Sequence, residues 1–109
     1  MQNFLGVKNC IVVNNGTISL SLALLAIGIK PGDKVAVPAL SMIATANAVK
    51  FIGAVPYFID IDAFDLNMSL NLLNYNYEKQ EFKAAIFVSL NGRYDTKVKH
   101  IFEILNIPI

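Results

Sequence analysis

The feature that most narrows the folds open to this chain is a repeated change of hydrophobic rhythm. Four short runs rich in β-branched, aromatic or small apolar residues, at 10–13, 35–37, 57–61 and 85–88, have the length and the bounding residues of strands. Segments of helical length lie between and after them, at 17–27, 42–52, 70–77 and 96–105. The strand runs are almost unbroken in apolar character, as expected where a strand is covered on both faces. Strands that alternate with helices and are buried in this way imply the α/β class, a mainly parallel sheet flanked by helices.

The punctuation supports the division. Gly28 followed by Lys30-Pro31-Gly32-Asp33 stops the first of these helices near Ile27, because glycine accepts a left-handed cap and proline cannot continue a helix. Met42, Ala46, Val49 and Gly53 share a face of the second, and its other side carries little charge beyond Lys50, so it reads as buried nearly all round. In the last helix Val98, Ile101, Phe102 and Leu105 form one stripe, with Lys97, Lys99, His100 and Glu103 away from it, so this helix belongs on the surface.

A length of 109 residues holds one domain or a piece of one, here taken as a single unit over residues 1–109. The chain is 55% hydrophobic and 16% charged, against roughly 45–50% and about 25% in an ordinary domain. Small domains expose proportionally more surface, so much of this surface is expected to be covered by further chain or by a partner subunit. The net charge is +1 and the basic residues are scattered, which leaves no footprint for nucleic acid. The longest apolar stretch, 18–29, contains Ser19, Ser21 and Gly28 and falls short of the ~20 residues that span a bilayer. Residues 1–5 lack the pattern of a secretory signal. A cytoplasmic location without membrane contact is therefore expected. Cys10, the single cysteine, allows no disulfide and reads as a packed thiol leading into Ile11-Val12-Val13.

Chemistry is most concentrated in Val12-Val13-Asn14-Asn15-Gly16-Thr17, where a strand runs through a polar turn into a helix. A helix start offers unpaired N–H groups and partial positive charge, and glycine with an adjacent threonine hydroxyl suits a phosphate. Ordinary N-capping accounts for the same residues. Asp60, Asp62 and Asp65 have the chemistry of a metal or acid/base group, but their spacing at a strand end serves turns, and no histidine accompanies them. His100 points away from its helix's apolar stripe and reads as solvated. Neither a metal site nor a catalytic residue is assigned.

Taken in order, several segments resemble the DegT/DnrJ/EryC1/StrS family of aminotransferases: Asn14-Asn15-Gly16-Thr17, the run from Leu22 through Gly28-Ile29-Lys30-Pro31-Gly32-Asp33 to Val35, Val37-Pro38, Ala44-Thr45-Ala46-Asn47-Ala48-Val49 and Phe58-Ile59-Asp60-Ile61-Asp62. Val88-Ser89-Leu90-Asn91-Gly92-Arg93 and Asn106-Ile107-Pro108-Ile109 are similar to later parts of the family pattern, so the resemblance covers essentially the whole chain. It implies the front part of the large domain of a fold type I transferase dependent on pyridoxal 5'-phosphate. In the complete protein it implies transfer of an amino group, usually from glutamate, to a nucleotide-linked keto sugar, within a homodimer. The turn matching Gly16-Thr17-Ile18 is then expected to hold the cofactor phosphate, in preference to capping alone. Met42 stands where the family usually carries an aromatic ring over the pyridine. Its polarizable thioether suits that contact, and ordinary helix packing also accounts for it. Ser89 replaces a histidine often found in its strand and is assigned no role.

The same resemblance places the acid that pairs with the pyridine nitrogen beyond Ile107, and the Schiff-base lysine later still; the family's usual segment ahead of the sheet also has no match before Met1. Lys50 and Lys83 do not stand in the lysine motif. The chain is accordingly expected to be a catalytically silent fragment of a sugar aminotransferase. Two other readings stand beside it: a non-enzymatic remnant that associates with a full-length relative, and a piece of a sugar dehydratase from the same family.

Overall fold

Val35, Ala36 and Val37 are 0% exposed, and the sheet is built around them. The computed structural model describes residues 1–80, 82–94, 96–106 and 108. β1 (Lys34–Pro38) is the central strand, paired in parallel with β2 (Val55–Ile59) on one side and β3 (Ala84–Ala85) on the other. Its register runs from Lys34 opposite Val55 to Pro38 opposite Ile59, and Ala36 lies opposite Ala85. The Ile86 N–H donates to the Ala36 carbonyl at 2.9 Å and carries the β3 ladder one residue further. Pro56 is accommodated in β2 because that strand has β1 on one side only.

Parallel neighbours need long crossovers. α3 (Ala44–Phe51) joins β1 to β2, and α4 (Leu70–Gln80) joins β2 to β3. α2 (Gly16–Ala26) precedes the sheet and α5 (Lys97–Leu105) follows it. The period-two pleat divides the core. Val35 and Val37 pack with Leu24 of α2 and Val49 of α3, whereas Ala36 packs with Leu73 of α4 and Phe102 of α5. Helices thus cover both faces. The small Ala36 and Ala85 leave room on their side for Met68, Leu73, Phe82 and Phe102. On the other side the Ser21 hydroxyl donates to the Ala48 carbonyl at 3.0 Å, a buried bond between α2 and α3.

The turns that lead into β1 and β2 are tied together. Gly32 N–H donates to the Gly53 carbonyl at 2.9 Å. Gly53 has φ +76°, and a side chain there would meet the Pro31 ring at 3.1 Å, so both its conformation and its surroundings require glycine. The Lys83 ammonium lies 2.7 Å from Asp33, and with the Lys30 N–H it holds that carboxyl below its ordinary value.

Three expectations are corrected. Residues 10–13 form no strand: Ile11 and Val12 are 84% and 82% exposed, and Cys10 is half-buried rather than packed. Both edges of β1 are already taken, and among the described residues no backbone hydrogen bond joins this segment to the sheet, so its strand preference is not realised. The second helix begins at Ala44, not Met42, and it is buried along Thr45, Ala46, Ala48 and Val49 while Ile43 and Phe51 stay exposed. A short α1 (Gln2–Leu5) was not foreseen. The stripe of α5 faces inward as expected, with Val98 and Phe102 buried and His100 exposed. The beginning of a further strand at Ile107 and Ile109 lies outside the described residues, although the Pro108 carbonyl accepts from the Ala85 N–H at 3.0 Å. Among the described residues no helix is long and apolar enough to cross a membrane.

Leu73 is fully enclosed in the core beneath α4 and α5. Leu73→Ala is expected to cost about 2–5 kcal/mol, a large share of the ~5–15 kcal/mol of a typical domain. Urea denaturation would show this as a lower midpoint with an unchanged slope.

Candidate functional site

In a parallel sheet covered by helices, the open crevice lies beyond the carboxyl ends of the strands. Here that position is a cleft of about 580 Å³ between the start of α2, the segment after β1 and the segment after β3. Gly16 and Thr17 line one side, Ser41 and Met42 come from the loop before α3, and Ser89 and Asn91 come from the chain beyond β3.

The start of α2 sets the chemistry. Asn15 is extended (φ −162°, ψ 168°), and its Oδ1 accepts from the Ile18 N–H at 3.0 Å. The Asn15 carbonyl accepts from Ser19 N–H at 3.2 Å, which opens the helical ladder. The N–H groups of Gly16 and Thr17 have no acceptor among the described residues. Gly16 is exposed and Thr17 half-buried. No acidic residue occupies the first turn, so the partial positive charge of the helix start is not neutralised locally. The two free donors and the Thr17 side chain therefore border an open cleft with the electrostatics of an anion site.

The remaining walls are polar and apolar in alternation. Ser41 and Thr45 share a hydroxyl–hydroxyl hydrogen bond of 3.1 Å at the start of α3. Met42 is 78% exposed, standing out from the helix it precedes. A 3-10 turn, Leu90–Gly92, closes the far side, with Asn91 in the left-handed region at φ 55°.

Of the four positions expected to hold a cofactor, the structure brings Gly16, Thr17 and Met42 to one cleft. Ile18 is not among the residues that line it, and its N–H is spent on Asn15. Capping and the anion site thus coexist: Asn15 satisfies the third donor and leaves the first two. Ser41 and Asn91 were not singled out from the sequence, since nothing local marks them as neighbours of Gly16. The aspartates serve turns. Asp60 accepts from Ile61 N–H, Asp62 from Phe64 N–H and Asp65 from Asn67 N–H, at 2.8–2.9 Å. Asp62 and Asp65 border a separate hollow of about 170 Å³. Among the described residues no group of three or more His, Cys, Asp or Glu is placed to hold a metal ion.

The sheet and its flanking helices match the large domain of a fold type I pyridoxal-phosphate-dependent transferase, in part rather than whole. The description "DegT/DnrJ/EryC1/StrS aminotransferase family" fits residues 1–106, and the chain belongs to that family. It is 50% identical over 66 residues to GDP-perosamine synthase of Caulobacter vibrioides, which is 61% of this chain and 18% of the relative. It is 39% identical over 93 residues to the UDP-2-acetamido-2-deoxy-3-oxo-D-glucuronate aminotransferase of Pseudomonas aeruginosa, 85% of this chain and 26% of that protein. Among solved structures, NtdA from Bacillus subtilis with bound cofactor PMP superposes with a TM-score of 0.84 at 31% identity, over 96% of this chain and 24% of that one. The chain thus spans about a fifth to a quarter of the length of these relatives.

Replacing Asn15 by alanine removes the cap on Ile18. Asn15→Ala is expected to lower stability by about 1 kcal/mol, read as a shift in the urea midpoint.

Proposed function

We propose that this chain is part of a cytoplasmic, homodimeric aminotransferase that moves an amino group from an amino acid, glutamate being the expected donor, to a nucleotide-linked keto sugar. The product would serve cell-surface polysaccharide or secondary-metabolite sugar synthesis. The observation that carries the reading is the pair of unmatched N–H groups at Gly16 and Thr17, open to a cleft in a member of this family. The names of the relatives, a GDP-perosamine synthase and a UDP-2-acetamido-2-deoxy-3-oxo-D-glucuronate aminotransferase, support the substrate class. The many exposed apolar side chains, among them Phe4, Ile11, Phe51 and Phe64, support coverage by a second subunit or by further chain.

The residues present fit one end of pyridoxal 5'-phosphate. When bound, that group supplies the electron sink for amino transfer. The Gly16 and Thr17 amides and the Thr17 hydroxyl would hold its phosphate, using the positive end of α2. Met42 offers a polarizable surface to its ring. Ser41, Ser89 and Asn91 are polar groups within reach of the same space. Among the described residues that line the cleft there is no lysine and no carboxylate; the further reading is that this chain alone anchors the cofactor and is catalytically silent.

Gly16 separates the anion reading from simple capping. A Cβ built on Gly16 meets no heavy atom within 4 Å, so the fold itself does not require glycine there. Gly16→Ala is expected to change stability by less than about 0.5 kcal/mol and yet to weaken binding of pyridoxamine 5'-phosphate in calorimetric titration. Thr17→Ala removes one hydrogen bond to a charged group and is expected to weaken the same binding about tenfold. Unchanged affinity in both variants would contradict the reading. A borohydride-fixed adduct of pyridoxal phosphate at one specific lysine would contradict the silence of the isolated chain.

A further inference from the structure

Asn67 is 3% exposed, and its side-chain amide is fully engaged. Its Oδ1 accepts from the Leu90 N–H at 3.1 Å. Its Nδ2 donates to the Arg93 carbonyl at 3.3 Å and to Asp65 Oδ2 at 3.1 Å. Asp65 holds the residue a second time, its Oδ1 accepting from the Asn67 N–H at 2.9 Å. Arg93 Nη1 returns a bond to the Asp65 carbonyl at 3.2 Å. One short side chain thus binds both ends of the 3-10 turn Leu90–Gly92, from 23 and 26 residues away.

The turn's own bonds are local, Gly92 N–H to the Ser89 carbonyl at 3.0 Å and Arg93 N–H to the Leu90 carbonyl at 3.1 Å, and they do not fix where it sits relative to the rest of the fold. It lies beyond β3, outside the sheet, and Asn91 within it adopts φ 55°, the left-handed conformation that asparagine enters more readily than other non-glycine residues. Ser89, Leu90 and Asn91 form the cleft wall that faces the start of α2. Asn67 itself does not line the cleft, so whatever it does there it does through the turn. An asparagine is suited to this, since it offers an acceptor and a donor on one rigid amide; aspartate lacks the donor and leucine lacks both. Such a polar side chain is retained in a buried site only when its bonds are made.

We infer that Asn67, oriented by Asp65, is a positioning residue that sets the far wall of the anion cleft by pinning the Leu90–Gly92 turn. The inference rests on the proposed function in one respect, that the cleft takes the phosphorylated cofactor. The test uses the 109-residue chain and its Asn67→Ala and Asp65→Ala variants. Pyridoxamine 5'-phosphate is the probe, titrated by calorimetry, with urea denaturation and residue-resolved amide exchange alongside.

Asn67→Ala is expected to bind the probe about tenfold more weakly while folded. Exchange at Leu90 and Gly92 is expected to accelerate, while β1 and α2 keep their protection. Asp65→Ala is expected to show the same pattern to a smaller degree. A lower urea midpoint with unchanged probe affinity would reduce Asn67 to a merely stabilising residue and overturn the inference. If the unsubstituted chain does not bind the probe, the cofactor reading fails on its own, and the exchange rates of Leu90 and Gly92 still decide whether Asn67 holds the turn. If Asn67→Ala does not fold, Asp65→Ala carries the test: wild-type affinity with wild-type exchange at Leu90 would overturn it.

Discussion

The enclosure of β1 is the constraint on which the rest of the structure depends. Its side chains at Val35, Ala36 and Val37 meet no solvent, and its backbone is paired on both edges. A strand buried on both faces needs a helix above and below it, and parallel neighbours need crossovers long enough to be helices. The chain satisfies both needs at once, since α3 and α4 are crossovers as well as covers. The carboxyl ends of β1 and β3 then open on one side, where the start of α2 also lies. The crevice is a consequence of the topology before any side chain is chosen.

Side chains decide what the crevice is suited to. At the start of α2, capping by Asn15 consumes the third donor and leaves the first two. Glycine at the first helical position leaves the backbone accessible, and the absence of an acid in the first turn keeps the helix end positive. Across the cleft, the backbone on either side of the left-handed Asn91 is held from outside by a buried amide, at Leu90 and Arg93. The near wall depends on local chain geometry and the far wall on a long-range tie, so they are open to separate perturbation.

What was legible in the sequence follows the same division. The β1 run, the Gly28 stop and the α5 stripe were readable because burial and chain reversal leave local marks. The failure at residues 10–13 has the opposite cause. Strand-forming residues state a preference, but a strand exists only with a neighbour, and pairing is not encoded in the run itself. The aspartates were read correctly as turn formers because their bonds reach only one or two residues ahead. Gly16, Thr17 and Met42 could be named from family likeness, whereas the loss of the Ile18 amide to Asn15 depends on which of two adjacent asparagines becomes the cap. The tie from Asn67 to the turn left no local trace, since the Leu90 and Arg93 groups it holds lie more than twenty residues away.

The central claim is that the unmatched amides of Gly16 and Thr17 receive a phosphate group. An amide-resolved NMR titration of the chain with pyridoxamine 5'-phosphate tests it most directly. The account predicts that the Gly16 and Thr17 resonances move most, with Ile18 moving little because its N–H stays on Asn15. Saturable binding that leaves Gly16 and Thr17 unmoved, or a titration in which no amide around the cleft responds, would contradict it.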